Sequence, residues 1–147
     1  MRISTRGRYG LRAMVELALA FGQGPVPLKE IATKQGLSEH YLEQLMGSLR
    51  KAGIVKSVRG AQGGYQLAKD PAEISTGEVL RVLEGPVSPV ECVDQGREVT
   101  CQKLAQCPTR PLWLKIYEQL NKVIDSTTLE DLRVEAQRLA DQSESDI

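Results

Sequence analysis

The chain has 147 residues, of which 41% are hydrophobic and 4% aromatic, and this length suits one compact domain with an appendage. No apolar run is long enough for a transmembrane helix, and no apolar segment near the N-terminus predicts a signal peptide. We therefore expect a cytoplasmic protein with no membrane partner. The formal net charge is zero, but residues 1–70 hold eleven Lys or Arg and five Asp or Glu, whereas residues 71–147 hold eight and fourteen. A basic first half, with a balance of +6, is typical of a nucleic-acid surface. A chance asymmetry in a soluble protein is the alternative.

The first predicted helix follows Thr5, which is a suitable N-cap, and its apolar residues recur at helical spacing as far as Leu19. Arg6, Arg8 and Arg12 lie near its start, where positive charges oppose the helix dipole. Anchoring on a DNA phosphate backbone would explain these arginines. A solvated polar helix end is the alternative explanation.

A helix-turn-helix is predicted next. Pro27 suits the first position of a short helix that Gly36 ends. The second helix begins at the N-cap Ser38 and ends at Gly53. Its apolar face consists of Leu42, Leu45, Met46 and Leu49. In this motif the N-terminal residues of the second helix contact bases in the major groove.

The opposite face of this second helix carries hydrogen-bonding groups of mixed kind instead of a uniform charge. Glutamine can pair bidentately with adenine, glutamate can accept a hydrogen bond from cytosine, and tyrosine can reach a phosphate. The predicted DNA contacts of the whole chain are Thr5, Arg6, Ser38, Glu39, His40, Tyr41, Glu43, Gln44, Ser48, Arg50, Lys51 and Arg59.

A β-hairpin is predicted after the helix-turn-helix, because residues 54–58 and 65–67 have strand-like patterns and flank a glycine-rich turn. Arg59 lies at the tip of this hairpin, where an arginine can enter a narrow minor groove. A purely structural hairpin is one alternative. A phosphate cradle at residues 60–64 is another, although the lysine and the following helix of a P-loop are missing.

Two further helices are predicted in the second half, on either side of an irregular stretch. A capping box formed by Ser75 and Glu78 starts a helix that runs to about Glu84. Residues 85–111 then lack periodicity, and loops of this length are usually functional or disordered. A long amphipathic helix follows from Leu112.

A second capping box, Thr127 with Glu130, predicts a last helix. The long helix before it must bury an apolar stripe, and a second copy of the chain would cover it, because twofold dimers are the commonest oligomers. Packing of this helix against its own chain is the alternative.

All three cysteines, Cys92, Cys101 and Cys107, lie in the irregular stretch. An odd number of thiols in a cytosolic protein argues against a disulfide framework. Three thiols in one loop suggest metal binding, because thiolates select zinc or iron–sulfur centres. Their spacing matches neither a zinc ribbon nor a ferredoxin, and three incidental thiols are the alternative.

Four segments carry a resemblance to a known family. They are residues 3–10 (ISTRGRYG), 37–45 (LSEHYLEQL), 58–65 (VRGAQGGY) and the three-cysteine loop with the Leu112-Trp113 pair behind it. On these segments the sequence resembles, from Met1 to about Leu132, the IscR family of winged helix-turn-helix transcription regulators, which includes NsrR and CymR. The first two-thirds is also similar to CymR-type repressors of cysteine metabolism, which lack the cysteines. Their presence here favours the cluster-binding IscR branch.

The resemblance implies a mainly α fold with a small β-hairpin wing. It implies a winged helix-turn-helix domain over residues 1–84, a cluster-binding loop over residues 85–111, and a dimerisation helix with a C-terminal helix over residues 112–147. It further implies a non-enzymatic homodimer that binds a roughly palindromic operator in double-stranded DNA.

The same resemblance implies a 2Fe–2S cluster as cofactor, held by Cys92, Cys101 and Cys107, with iron–sulfur assembly proteins as cluster donors. The regulated genes would be those of iron–sulfur cluster biogenesis, and Glu43 would help to discriminate between DNA sites. Two other functions stay open: a cluster-free, CymR-like repressor controlled by a partner enzyme, and an iron–sulfur electron carrier.

The fourth ligand of such a cluster is unassigned. Family members that use a histidine carry it where this chain has Arg110, and NsrR-type relatives use an aspartate where it has Arg8. Arginine cannot coordinate a metal, because its guanidinium has no free acceptor. The candidates are His40 and Glu43 on the second helix of the motif, and the acidic residues Glu91, Asp94 and Glu98 in the loop. A phosphate or base contact is the alternative role of His40.

Overall fold

The computed structural model describes residues 2–94 and 101–145. These ranges contain six α-helices and one antiparallel two-stranded sheet, which confirms the predicted mainly α fold with a β-hairpin. The elements are α1 (Thr5–Leu19), α2 (Leu28–Gln35), α3 (Glu39–Lys51), β1 (Val55–Val58), β2 (Gly64–Leu67), α4 (Thr76–Glu84), α5 (Arg110–Ser126) and α6 (Leu129–Ser145). Single 3-10 turns lie at Pro71–Glu73, Glu91–Val93 and Leu104–Gln106.

Helices α2 and α3 form the predicted helix-turn-helix. The Ser38 hydroxyl oxygen accepts a hydrogen bond from the Tyr41 backbone N–H at 3.1 Å, which confirms Ser38 as the N-cap of α3. Gly53 follows α3 with φ of 79°, a conformation that side chains disfavour and that ends helices. Local capping therefore fixes both ends of α3.

The hydrophobic core lies beneath α3, and α1, α4 and the first turn of α6 enclose it. Burial of a leucine-sized side chain contributes about 1.5–3 kcal/mol, so these residues dominate the stability of the fold. Those with at most 1% exposure include Met14, Leu17, Ile31, Leu42, Leu45, Met46, Leu49, Ile74, Val79 and Leu129. Because Leu129 belongs to α6, the C-terminal helix is part of the same core as the helix-turn-helix.

The hairpin pairs Val55 with Leu67 and Val58 with Gly64. A third segment joins this sheet at Val26, between α1 and α2. The Val26 N–H donates to the Tyr65 carbonyl oxygen at 2.8 Å, and the Tyr65 N–H donates back at 2.9 Å. This bridge, which the sequence pattern did not predict, fixes the base of the hairpin against the helical core.

A polar joint connects α4 to α5. The Glu78 N–H donates to the Ser75 hydroxyl oxygen at 3.0 Å, which confirms the predicted capping of α4. Arg81 of α4 donates to both carboxylate oxygens of Asp125 at 2.7 and 2.9 Å, and to the Asn121 side-chain oxygen at 2.7 Å. The hydrogen bond to Asp125 raises the pKa of Arg81, and this effect is larger than the opposing effect of burial. The joint therefore stays charged and sets the position of α5.

Three predicted helix starts were wrong by one residue, and α5 begins at Arg110, two residues before the predicted start at Leu112. Ser4, and not Thr5, occupies the N-cap of α1, and Pro27 is the N-cap of α2, with Leu28 as the first helical residue. At α6 the Thr128 N–H donates to the Asp131 carboxylate at 2.9 Å, and the Asp131 N–H donates to the Thr128 hydroxyl at 3.1 Å. This pair forms the capping box in place of Thr127 and Glu130. Across the described part of the chain, no helix has the length and hydrophobicity required to cross a membrane.

Candidate nucleic-acid interface

The exposed side of α3 forms an open depression of about 500 Å³. Its lining brings together six of the residues that the sequence predicted to contact DNA, and adds Gly47 and Tyr65. The lining residues are His40, Glu43, Gln44, Gly47, Ser48, Arg50, Lys51 and Tyr65. The other side of α3 is fully buried. The helix is thus held firmly by its apolar face while its polar face stays open.

The polar groups of this α3 depression vary along the helix. His40 Nε2 and Gln44 Nε2 lie 3.3 Å apart, one helical turn from each other. The Ser48 hydroxyl donates to the Gln44 backbone oxygen at 3.3 Å. Basic groups, Arg50 and Lys51, lie in the last turn of α3. The N-terminal part therefore presents neutral and acidic hydrogen-bonding groups, and the C-terminal part presents positive charge.

Gly47 and Tyr65 are lining residues that the sequence analysis missed. A Cβ atom at Gly47 would meet no described atom within 4 Å, so packing within the chain does not require glycine there. Glycine inside a helix costs about 0.5–1 kcal/mol relative to alanine. A glycine inside an otherwise regular helical pattern was the available sequence signal for Gly47. Tyr65 carried no comparable signal.

Tyr41 differs from the other predicted contacts on α3. Its ring packs edge-on against Tyr9 of α1, with centroids 6.5 Å apart and an interplanar angle of 87°. Its hydroxyl oxygen is buried without a hydrogen-bond partner among the described residues. In this conformation Tyr41 joins α3 to α1, and the phosphate contact predicted for it requires a rearrangement. Ser38 and Glu39, by contrast, are exposed at the start of α3.

The basic residues of α1 are not equally available. Arg6 is half-buried, and its Nε donates to the Leu83 carbonyl oxygen at 3.3 Å. Thr5, Arg8 and Arg12 are exposed. Arg6 is thus partly engaged by α4, and the Arg12 guanidinium lies over the Tyr9 ring, 5.7 Å from its centroid, so Arg8 is the least engaged of the three arginines.

The N-terminus of α1 is closed by a carboxylate from α4. Glu84 Oε1 accepts from the Ser4 N–H at 3.0 Å, from the Gly7 N–H at 2.9 Å and from the Ser4 hydroxyl. Burial alone would raise the pKa of Glu84, but the hydrogen bonds from Ser4 and Gly7 outweigh it and hold the pKa below its ordinary value. Glu84 therefore stays ionised and complements the positive end of the helix dipole.

Arg59 is exposed directly after β1. The turn behind it is closed by a hydrogen bond from the Gly63 N–H to the Gly60 carbonyl oxygen at 3.0 Å. Strand β2 follows this turn, so the phosphate-cradle alternative lacks the helix that such a site needs. Arg59 lies outside the lining of the α3 depression, as expected of a residue at the tip of a wing.

The three cysteines are free thiols and all lie in the segment between α4 and α5. Cys92 is half-buried in the turn Glu91–Val93, Cys101 is exposed, and Cys107 is half-buried just before α5. Glu98, a predicted candidate ligand, lies outside the described residues.

The Cys107 thiol lies among hydrogen-bond donors at the start of α5. The Thr109 hydroxyl lies 3.2 Å from its sulfur. This hydrogen bond, followed by bonds from the backbone N–H groups of Thr109 and Arg110, lowers the pKa of the Cys107 thiol. Thiolates are the form of cysteine that binds metals, so the chemistry of Cys107 fits a ligand role.

The described residues do not assemble a complete metal site: residues 2–94 and 101–145 contain no group of three or more potential ligands. His40 and Glu43 lie on the α3 face in no such group, and Asp94 is buried near Cys92 in sequence. The donor set of three thiols fits an iron–sulfur cluster by chemistry.

Comparison with known proteins identifies the family. The profile of the Rrf2 family, described as an iron-dependent transcriptional regulator, matches residues 3–135. The HTH-type transcriptional regulator CymR of Bacillus subtilis is 52% identical over 132 residues, which cover 90% of this chain and 89% of CymR.

Solved structures agree with the sequence match. The structure of CymR, the global cysteine regulator of B. subtilis, superimposes with a TM-score of 0.77 at 51% identity and covers 91% of this chain and 97% of its own. IscR of T. potens gives a TM-score of 0.74 at 47% identity and covers 92% and 88%. Both relatives are regulators and not enzymes. The chain therefore belongs to the Rrf2 family of DNA-binding transcriptional regulators.

Proposed function

We propose that the exposed face of α3 enters the major groove and contacts bases there, while Arg59 at the wing enters an adjacent minor groove. The observation that carries this proposal is the two-sided character of α3, with one face at 0% exposure and the other forming the α3 depression. Mixed donors and acceptors suit base edges, and Arg50 and Lys51 suit phosphates.

The DNA-binding form is a homodimer in this proposal. Helix α5 has 17 residues and none of them is buried. Its outer side carries an apolar surface lined by Ile116, Leu120 and Val123, and Val123 is 60% exposed. Since Arg81 holds the opposite side of α5 through Asp125, this apolar surface is available to a second α5. The dimer would place two α3 helices on one roughly palindromic operator.

Cys92, Cys101 and Cys107 would hold a 2Fe–2S cluster, and iron–sulfur cluster biogenesis genes would be the regulated genes. When bound, such a group would supply a redox-active iron centre. The lowered pKa of Cys107 and the matching family profile support this role.

Hydrogen bonds connect the cysteine-bearing segment between α4 and α5 to the helices that support α3. The buried Val87 offers its carbonyl oxygen to the Asn121 side chain of α5 at 3.1 Å. Asn121 in turn accepts from Arg81 of α4, and Glu84 at the end of α4 holds the start of α1. A conformational change in the segment between α4 and α5 would therefore alter the positions of α4 and α1 through these hydrogen bonds.

A cluster-free regulator of cysteine metabolism is the second candidate. Two observations favour it: the 52% identity to B. subtilis CymR, and the lack of an assembled group of ligands among the described residues. In this case the cysteines would be incidental or would respond to thiol chemistry, and a partner protein would control DNA binding.

Anaerobic purification with iron and sulfide analysis distinguishes the two candidates. The cluster proposal predicts iron and sulfide in equal amounts and a visible absorption band, both lost in the single variants Cys92→Ser, Cys101→Ser and Cys107→Ser. Ser88→Ala, in the same segment, serves as the control and keeps both signals. A wild-type protein without iron, bound to promoters of cysteine-metabolism genes, would contradict the cluster proposal and favour the second candidate.

A further inference from the structure

His40 and Gln44 form a side-chain pair inside the α3 depression. Their Nε2 atoms lie 3.3 Å apart, and residues separated by four positions on a helix face each other. The amide nitrogen of glutamine is a donor only, whereas an imidazole nitrogen can donate or accept. A hydrogen bond between these two atoms therefore requires the His40 Nε2 to accept, with the ring proton on Nδ1.

This arrangement decides what Gln44 presents to the outside. With one N–H given to His40, the amide keeps a second N–H and its carbonyl oxygen. One donor beside one acceptor matches the major-groove edge of adenine, which offers the N7 acceptor and the N6 donor. The Ser48 hydroxyl does not compete for the amide, because it donates to the Gln44 backbone oxygen.

The opposite arrangement follows when the His40 Nε2 carries a proton. The amide must then turn its oxygen toward His40, and its NH2 group faces outward. An outward group that only donates matches guanine, whose N7 and O6 are both acceptors. Glu43 and the basic pair Arg50 and Lys51 share the depression with His40, and Tyr65 reaches it from β2.

We propose that His40 is a specificity-determining residue, which selects adenine or guanine at one base pair by setting the orientation of the Gln44 amide. The inference rests on the proposed function, since it requires α3 to contact bases. It goes beyond that function by assigning His40 an indirect role through Gln44, in place of the direct DNA contact or metal ligation that the sequence suggested.

Two variants in which the side chain at position 40 can only accept or only donate a hydrogen bond test the proposal. His40→Glu only accepts hydrogen bonds and imitates the arrangement in the structure, whereas His40→Lys only donates and imitates the opposite one. Each is prepared with Gln44 and in a Gln44→Ala background, and urea unfolding confirms that all four proteins are folded. An operator is first selected from a random pool with the wild-type protein. The base pair at which Gln44→Ala loses discrimination is then identified in this operator. Binding is measured by competition between duplexes that carry each of the four base pairs at that position.

We expect the wild type and His40→Glu to prefer adenine over guanine by about tenfold, and His40→Lys to reverse this preference. In the Gln44→Ala background the two His40 variants should have the same base profile, since a uniform change in affinity cancels in the ratio. Equal profiles with Gln44 present, or a difference that persists without Gln44, would overturn the inference and leave the proposed function intact. Failure of the wild type to select any operator would instead contradict the proposed function.

Discussion

Substitution of Glu84 by glutamine should destabilise the protein, because this carboxylate closes the N-terminus of α1. Its Oε1 accepts three hydrogen bonds, from the Ser4 N–H, the Gly7 N–H and the Ser4 hydroxyl. Glu84→Gln keeps an acceptor of nearly the same shape but removes its charge. The variant therefore isolates the electrostatic part of the interaction between α4 and α1.

The magnitude follows from the difference between charged and neutral acceptors. A hydrogen bond to a charged group contributes about 1.5–3 kcal/mol, against about 0.5–1.5 kcal/mol for a neutral one. The bonds lie near the surface, where water screens part of this difference. We expect Glu84→Gln to lower the free energy of unfolding by about 1–2 kcal/mol at neutral pH, measured by urea denaturation followed by circular dichroism.

The pH dependence gives a second, independent signature. Because the folded-state pKa of Glu84 is below its ordinary value of 4.5, its contribution is fully present above that value and is lost as the pH falls through the folded-state pKa. The wild type should thus lose its advantage over Glu84→Gln in acid. Glu118→Gln, on the exposed surface of α5, is the control. If the two variants unfold alike at neutral pH, the assignment of Glu84 as the cap of α1 is refuted.

Two further variants test the wing. Arg59→Ala should weaken binding chiefly to operators with a narrow minor groove, whereas Arg138→Ala on α6 removes the same charge without this preference. Gel shifts on matched operators measure both variants. Equal losses of affinity on all operators would contradict a minor-groove contact by Arg59. Gly64→Ala should cost about 1–3 kcal/mol of folding stability, because its φ of 158° suits glycine and a Cβ would clash with the Val26 carbonyl oxygen; an unchanged melting temperature would contradict the bridge between Val26 and Tyr65.

The elements that sequence could predict are those fixed by neighbours in the chain. Ser38, its apolar stripe and Gly53 determine α3 through interactions within a few residues, and the structure confirms all three. The same reasoning placed six of the eight lining residues of the α3 depression. It misplaced the starts of α1, α2 and α6 by one residue and that of α5 by two, because helix ends are less sharply encoded than helix interiors.

The missed pairings depend on contacts between distant parts of the chain. Glu84 closes α1 from 77 or more positions away, and Val26 reaches Tyr65 across α2 and α3. Tyr41 looked like a phosphate contact from its position on α3, but its ring packs against Tyr9 of α1 and its hydroxyl oxygen is buried. No periodicity or motif encodes such pairings, so only the folded structure shows them.

The central claim, that the polar face of α3 contacts bases, is tested most directly by Gln44→Ala. Base discrimination is measured by competition binding on operators mutated one base pair at a time, with the exposed Gln23→Ala as control. We expect Gln44→Ala to relax discrimination by about 1–3 kcal/mol at one position in each half-site, and Gln23→Ala to change nothing. A Gln44→Ala protein that discriminates between bases as the wild type does would show that the polar face of α3 does not contact bases through Gln44.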